Sequence, residues 1–251
     1  MSFRFKAFAW HLLGSAGALT LVLGSLYLGW YHWPGWYLTG VTSVVPMLAA
    51  VDLSLGPLLT LVIASPKKPR RELGRDVSVI ATVQLLALLY GAVQLWNGRP
   101  LYYAFSVKEL SVVQAYDLDP KESASAREQN LPLAPHWYSL PRWIYAPLPE
   151  DAGVAQRIMQ SAIAGGYDVT AMPRYFEPWQ SGLRDLRSHL VKVGDSTYFS
   201  LAERHTLAER MRAAGFDPEI ANALPFTGRR RPLLAVFDPK TLALVATFQP
   251  T

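Results

Sequence analysis

Three apolar runs, each about as long as a bilayer is thick, constrain what this chain can become. They occupy residues 8–31, 41–64 and 77–96. A helix needs ~20 apolar residues to cross ~30 Å of hydrocarbon, and each run meets that length. In lipid the backbone must satisfy its own polar groups, so each run is expected to be helical. The first run ends on no clear small-residue cleavage site and two more follow, so it reads as a span and not as a removable signal.

The remainder is a different kind of sequence. The chain of 251 residues is 51% hydrophobic and 17% charged, and the apolar excess lies mostly before Gly98. Beyond it, charges recur throughout, as in a soluble domain. The predicted organisation is a three-helix transmembrane domain over 1–98 followed by a small α+β domain over 99–251. No cysteine is present, which removes disulfides, a thiol nucleophile and cysteine metal ligands.

The net charge of +5 is concentrated near the membrane. Arg4 and Lys6 precede the first run. The connection YHWPGWYLTG between the first and second carries no Lys or Arg. The connection SPKKPRRELGRD between the second and third carries Lys67, Lys68, Arg70, Arg71 and Arg75 against Glu72 and Asp76. This asymmetry points to membrane topology and away from nucleic acid. It places the N-terminus and the basic connection in the cytoplasm, and the α+β domain on the far side, the periplasm of a bacterial inner membrane. Trp30, Tyr31, Trp33, Trp36 and Tyr37 then crowd the outer turn, where an interfacial aromatic belt is expected.

In the second domain, LYYAFSV and SVVQAY read as strands, and residues 117–149, rich in Pro, Ser and charge, read mostly as loop. DAGVAQRIMQSAIAG, SGLRDLRSHLVKV and SLAERHTLAERMRAAG have helical spacing, the last with a capping box at Ser200 and Glu203. Two β-rich runs flank Asp238-Pro239-Lys240-Thr241 and suggest a closing hairpin.

Catalytic signals are weak. Asp117-Leu118-Asp119 resembles a metal-holding Asp-x-Asp pair, but Pro120 follows and a turn or cap is the plainer reading. His136, His189 and His205 show no zinc spacing. No serine sits in G-x-S-x-G, and no phosphate loop is present; Gly165-Gly166 ends a helix. Arg229-Arg230-Arg231 reads as a solvated loop, and PRYFEPW as a segment that closes the core or meets a partner. No catalytic residue, cofactor or metal is expected.

The exception lies in the membrane. Asp52 is roughly 20 Å from the end of its run at Ser65, near mid-bilayer. A carboxylate there costs about 2.5 kcal/mol or more and should face other helices. Gly56 permits close helix approach, and Pro57 lacks an amide, so a kink is expected beside Asp52. By depth, Tyr90 and Gln84 are the expected partners, with Thr20 and Ser15 nearby. His11 is expected to lie too near the cytoplasmic face. The readings are an internal hydrogen bond, a docking point for another protein's transmembrane helix, or a proton relay.

These features together resemble the type IV pilin accessory proteins of the TfpX/TfpZ type. The matching residues are Arg4-Phe5-Lys6-Ala7-Phe8 with His11, Asp52 with Gly56-Pro57-Leu58-Leu59-Thr60-Leu61, Lys67, Asp76, Gln84, Tyr90-Gly91, Arg99-Pro100 and Phe105. The resemblance covers roughly the first hundred residues. It implies an inner-membrane protein that serves a type IV pilin subunit, meeting its transmembrane helix and its globular head, and aids its stability, assembly or display. On that reading Arg4, Lys6, His11, Asp52, Gly56, Pro57, Gln84 and Tyr90 are the candidate partner-binding residues. The partners expected are pilin and membrane lipids, with no nucleic acid. The alternative is a membrane-bound enzyme that modifies pilin, for example by glycosyl transfer. A sensor is a third class, weakened by the lack of a cytoplasmic output domain.

Overall fold

The computed structural model describes residues 3–250; residues 1, 2 and 251, at the outer ends of the two expected domains, lie outside the described residues. The chain divides into two compact units: Met1–His32 with Gly40–Asn97, and Trp33–Thr39 with Gly98–Thr251.

The first unit holds three helices long and apolar enough to cross a bilayer. Helix α1 (Phe3–Leu26) runs on through a π-helical turn, Tyr27–Tyr31. The short helix α2 (Gly35–Leu38) belongs to the second unit. The second apolar helix, Val41–Ile63, is built in pieces: a 3-10 turn at Val41–Ser43, α3 (Val45–Ala50), a π-helical stretch at Val51–Leu55 and α4 (Gly56–Ile63). The third is α5 (Arg70–Asn97). Helices α1 and α5 begin before the apolar runs do, in stretches where Arg4, Lys6, Arg70, Arg71, Glu72 and Leu73 are good helix formers. Lys68 pairs with Asp76 at 2.8 Å and Glu72 at 3.7 Å beside the start of α5. Helices α3 and α5 approach closely at Gly91, where an added Cβ would lie 2.4 Å from the Leu48 side chain.

The second unit is a curled mixed sheet with helices. Its elements from Pro100 are β1 (Pro100–Ser106), β2 (Glu109–Gln114), α6 (Pro120–Glu128), β3 (Arg142–Tyr145), α7 (Ala152–Ile163), β4 (Glu177–Pro178), α8 (Leu183–His189), α9 (Leu201–Ala213), β5 (Ala223–Thr227), β6 (Leu233–Phe237) and β7 (Leu244–Phe248). The strand order is β4-β3-β1-β2-β5-β6-β7. Pairs β1–β3 and β2–β5 are parallel and the rest antiparallel. The expected strands, helices and closing hairpin are present, with SGLRDLRSHLVKV reduced to the seven residues of α8.

Residues 117–149 are mostly loop, as expected, but they also hold α6 and β3. Asp119 caps α6 by accepting from the amides of Lys121 (2.7 Å) and Glu122 (3.3 Å), and Pro120 occupies the first turn, where its missing amide costs nothing.

Alternation along the strands splits the core into two faces. Tyr103, Phe105, Leu224, Phe226, Leu233, Ala235 and Phe237 bury one face against Leu186 of α8 and Leu38 of α2. Ala223, Leu234 and Val236 point the other way, against Leu207 and Met211 of α9.

Leu38 arrives from the connection between the first two apolar helices. It is fully buried, and its carbonyl accepts from the Arg229 amide at 2.7 Å. A Cβ at Gly228 would lie 2.4 Å from that carbonyl, so the close approach requires glycine. Trp33 donates to Thr247 Oγ1 at 2.8 Å, and Arg230 lies over the Tyr37 ring. Residues 33–39 are thus a strap in the second unit's core, beyond the aromatic belt expected of them.

Candidate functional site

The chemistry of the first unit is set by a proline. In α-helical register Pro57 has no amide for the Leu53 carbonyl; in the wider π register it has none for Asp52. The π-helical stretch carries Asp52. Gln84 Nε2, on α5, donates to the Asp52 carbonyl at 3.0 Å. A side chain from a neighbouring helix thus supplies the missing donor, as membrane helices require when proline frees a carbonyl. Gly56 makes room for it: a Cβ there would lie 1.8 Å from Gln84 Oε1.

The network continues. Gln84 Oε1 lies 2.5 Å from His11 Nε2, and His11 Nδ1 lies 2.6 Å from Thr60 Oγ1. Because the amide oxygen only accepts, Nε2 carries the proton. The chain of contacts joins Thr60, His11, Gln84 and the Asp52 backbone, with Gln84 donating to the Asp52 carbonyl. Thr60 and Asp52 are buried, and Gln84 nearly so.

Beside this network is a cavity of about 570 Å³. His11, Ser15, Asp52, Thr60 and Gln84 form its polar part, and Ala7, Trp10, Gly14 and Leu85 are among its apolar walls. Among the described residues nothing hydrogen-bonds the Asp52 carboxyl, which lines the cavity. The arrangement offers an oriented hydrogen-bonding group within apolar walls, suited to a helix that brings one polar side chain into lipid.

The sequence-predicted site residues separate into two groups. Asp52, Gly56, Pro57, Gln84 and His11 come together. Pro57 is buried and is not among the residues that line the cavity. His11 corrects the depth expectation: it meets Thr60, near the end of α4, and the long Gln84 side chain bridges from there to Asp52. Tyr90 is 68% exposed and outside the cavity. Six residues beyond Gln84 is about 240° around a helix, so equal depth did not mean equal face. Arg4 and Lys6 are exposed on the first turns of α1, and Thr20 is also exposed. Sequence reasoning missed Thr60 as a partner, although its place two turns beyond Asp52 on the same helix was a signal.

In the second unit the weak catalytic candidates are engaged elsewhere. Asp119 is a helix cap. Asp117 accepts from the Gln114 amide at 3.0 Å and pairs with Arg229 at 2.6 Å. Arg231 pairs with Glu203 at 3.4 Å. Within PRYFEPW, Arg174 grips Glu122, Phe176 packs edge-on to Tyr102 and Trp179 packs on Trp143. Among the described residues no three His, Asp or Glu side chains converge on a metal-sized point.

Fold and cavity define a membrane protein of three apolar helices with a polar recess among them and a mixed-sheet domain. Its relatives are fimbrial assembly proteins. The chain is 24% identical over 224 residues to the fimbrial assembly protein of serogroup I from Dichelobacter nodosus, covering 88% of this chain and 84% of the relative. It is 23% identical over the same length to that of serogroup E1, with the same coverage. The protein of serogroups C1 and C2 is 28% identical over 108 residues, 43% of this chain and 82% of its own length. No family model and no solved structure matches the chain. Two of these alignments span most of the chain and so reach beyond the first hundred residues, on which the sequence resemblance rests.

Proposed function

We propose that this protein is an inner-membrane accessory factor for type IV pili. It binds a pilin subunit by its apolar helix and aids that subunit's stability, assembly or surface display without catalysis. The observation that carries the reading is the membrane cavity, in a chain whose relatives are named fimbrial assembly proteins. A pilin waits in the membrane by an apolar helix, and a helper needs a recess of that chemistry. Asp52 is the residue that would give the recess its selectivity. Engagement of Asp117 and Asp119 in capping and ion pairing supports a non-catalytic role over pilin modification.

The absence of cysteine makes the test direct. A photo-crosslinker or single cysteine at Leu85, on the cavity wall, is expected to capture pilin in cells, and Asp52→Leu at normal abundance is expected to reduce that capture and piliation. Undiminished crosslinking and piliation in the variant would remove Asp52 from the mechanism. Failure to capture pilin from any wall position would remove the docking reading itself.

A further inference from the structure

The loop after α6 turns its backbone inward and its large side chains outward. Residues 131–141 contain no Asp, Glu, Lys or Arg. Their carbonyls are satisfied from the side. Arg142 donates to Pro132 and Ala134, each at 3.1 Å. Tyr102 donates to Leu133 at 2.7 Å, and Arg127 to Pro135 at 3.2 Å. Arg99 donates to Trp137 at 3.0 Å, and the His136 amide donates to Ser139 Oγ at 2.9 Å. Burial pushes the Tyr102 hydroxyl up to about 12, so it remains a donor at physiological pH.

On this fixed backbone Trp137, Tyr138 and Leu140 are 73%, 59% and 56% exposed. Trp137 meets Tyr138 edge to face at 5.6 Å, and His136 stacks on Tyr138 at 5.3 Å. Exposed aromatic side chains held this rigidly, with no charge among them, form a surface that water does not favour.

The loop's link to the chain gives a reason to expect a lipid neighbour. Arg99, which holds the Trp137 carbonyl, stands two residues beyond Asn97, where the third apolar helix ends. Two peptide units span at most ~7.6 Å, so Arg99 is tethered to the exit point of that helix. Trp96 and Trp30, in edge contact at 4.9 Å, already place indoles at the ends of their helices, as at a membrane–water interface.

We propose that Trp137, Tyr138 and Leu140 form an interfacial anchor that inserts among phospholipid headgroups on the membrane face where the third helix ends. Irregular backbone enters such a region only when its polar groups are satisfied, and this loop's carbonyls accept from three arginines and a tyrosine. Trp and Tyr suit the position because each has an apolar body and a polar tip.

The test uses full-length protein in vesicles of phosphatidylethanolamine and phosphatidylglycerol. An environment-sensitive fluorophore is attached through Tyr138→Cys or, as a water-exposed reference, His205→Cys. Spin-labelled lipid carrying its nitroxide near the headgroup is expected to quench the emission at 138 strongly, as for an interfacial side chain, and that at 205 little. Trp137→Ser with Leu140→Ser is expected to lower quenching at 138 to the reference level while far-UV circular dichroism is unchanged. Equal access of aqueous iodide to both labels, with no response to the spin-labelled lipid, overturns the proposal. So does protection at 138 that requires added protein, since the loop would then be a protein-docking surface. Undiminished lipid quenching in the folded double variant overturns the role given to these side chains.

Discussion

A proline inside a membrane helix leaves a carbonyl without its donor, and the source of the replacement binds one helix to another. Here the source is Gln84, which also accepts from His11 and fits only because residue 56 has no side chain. Gln84→Leu should destabilise the protein by roughly 1–3 kcal/mol, the cost of an orphaned buried acceptor. Pro57→Ala in that background restores an amide to the helix and should recover part of the loss, a coupling of about 1 kcal/mol. Thermal unfolding in detergent of the two single variants and the double variant checks this; strictly additive effects would refute the substitution of Gln84 for the missing amide. Asp52, Gly56, Pro57 and Gln84 were legible in the sequence because a carboxylate and a proline stand out against apolar residues. Tyr90 misled because depth can be counted along a sequence, whereas the face a residue presents depends on packing. The level of His11 misleads for a related reason, since counting rises along the axis does not show how far a glutamine side chain reaches between levels.

At the scale of elements, legibility followed length and local chemistry. The apolar helices announce themselves by extent alone, and α9 by its capping box, which the structure contains: Ser200 Oγ accepts from the Glu203 amide at 3.3 Å, and Glu203 accepts from the Ser200 amide at 2.9 Å. Helix α6 was hidden by its Pro and Ser content, although Asp119-Pro120 is a sound helix start. Strands β3 and β4, of four and two residues, are too short to carry a period and exist through their neighbours. The cap has a pH signature. The Ser200 amide and then its hydroxyl, with a smaller contribution from Arg231, hold the Glu203 carboxyl below the usual glutamate range. A lowered folded-state value means the ionised form favours folding. Its contribution is present above the ordinary glutamate value of about 4.3 and is lost as pH falls through the lowered one. Glu203→Gln should lower the melting temperature at neutral pH and flatten its decline on acidification. A variant whose acid limb matches the parent's would show that the cap carboxylate plays no part.

At the scale of the whole molecule, the number of spans between two segments fixes whether they share a side, and two lie between residues 33–39 and the second unit's remaining residues. With three spans, residues 33–39 and everything after Asn97 face the same compartment, and the connection through Lys67 faces the other. The packing of 33–39 into the second unit's core agrees with that parity. The Lys and Arg excess predicts that the connection through Lys67 is the cytoplasmic one. In cells with a permeabilised outer membrane, an impermeant maleimide is expected to label Lys240→Cys and to leave Lys67→Cys unlabelled until the inner membrane is opened. The reverse pattern would invert the orientation, and labelling of both would reduce the number of crossings.

The strap also sets an order of events in time. Leu38 leaves the ribosome before any strand it packs against, on the connection between two segments that must first enter the bilayer. The second unit then awaits the third segment, because its remaining residues all follow Asn97. Its core closes only when an early fragment and a late one meet in the same compartment. On the three-span reading, a chain inserted with one crossing too few would hold Leu38 on the far side of the membrane from the strands it packs against.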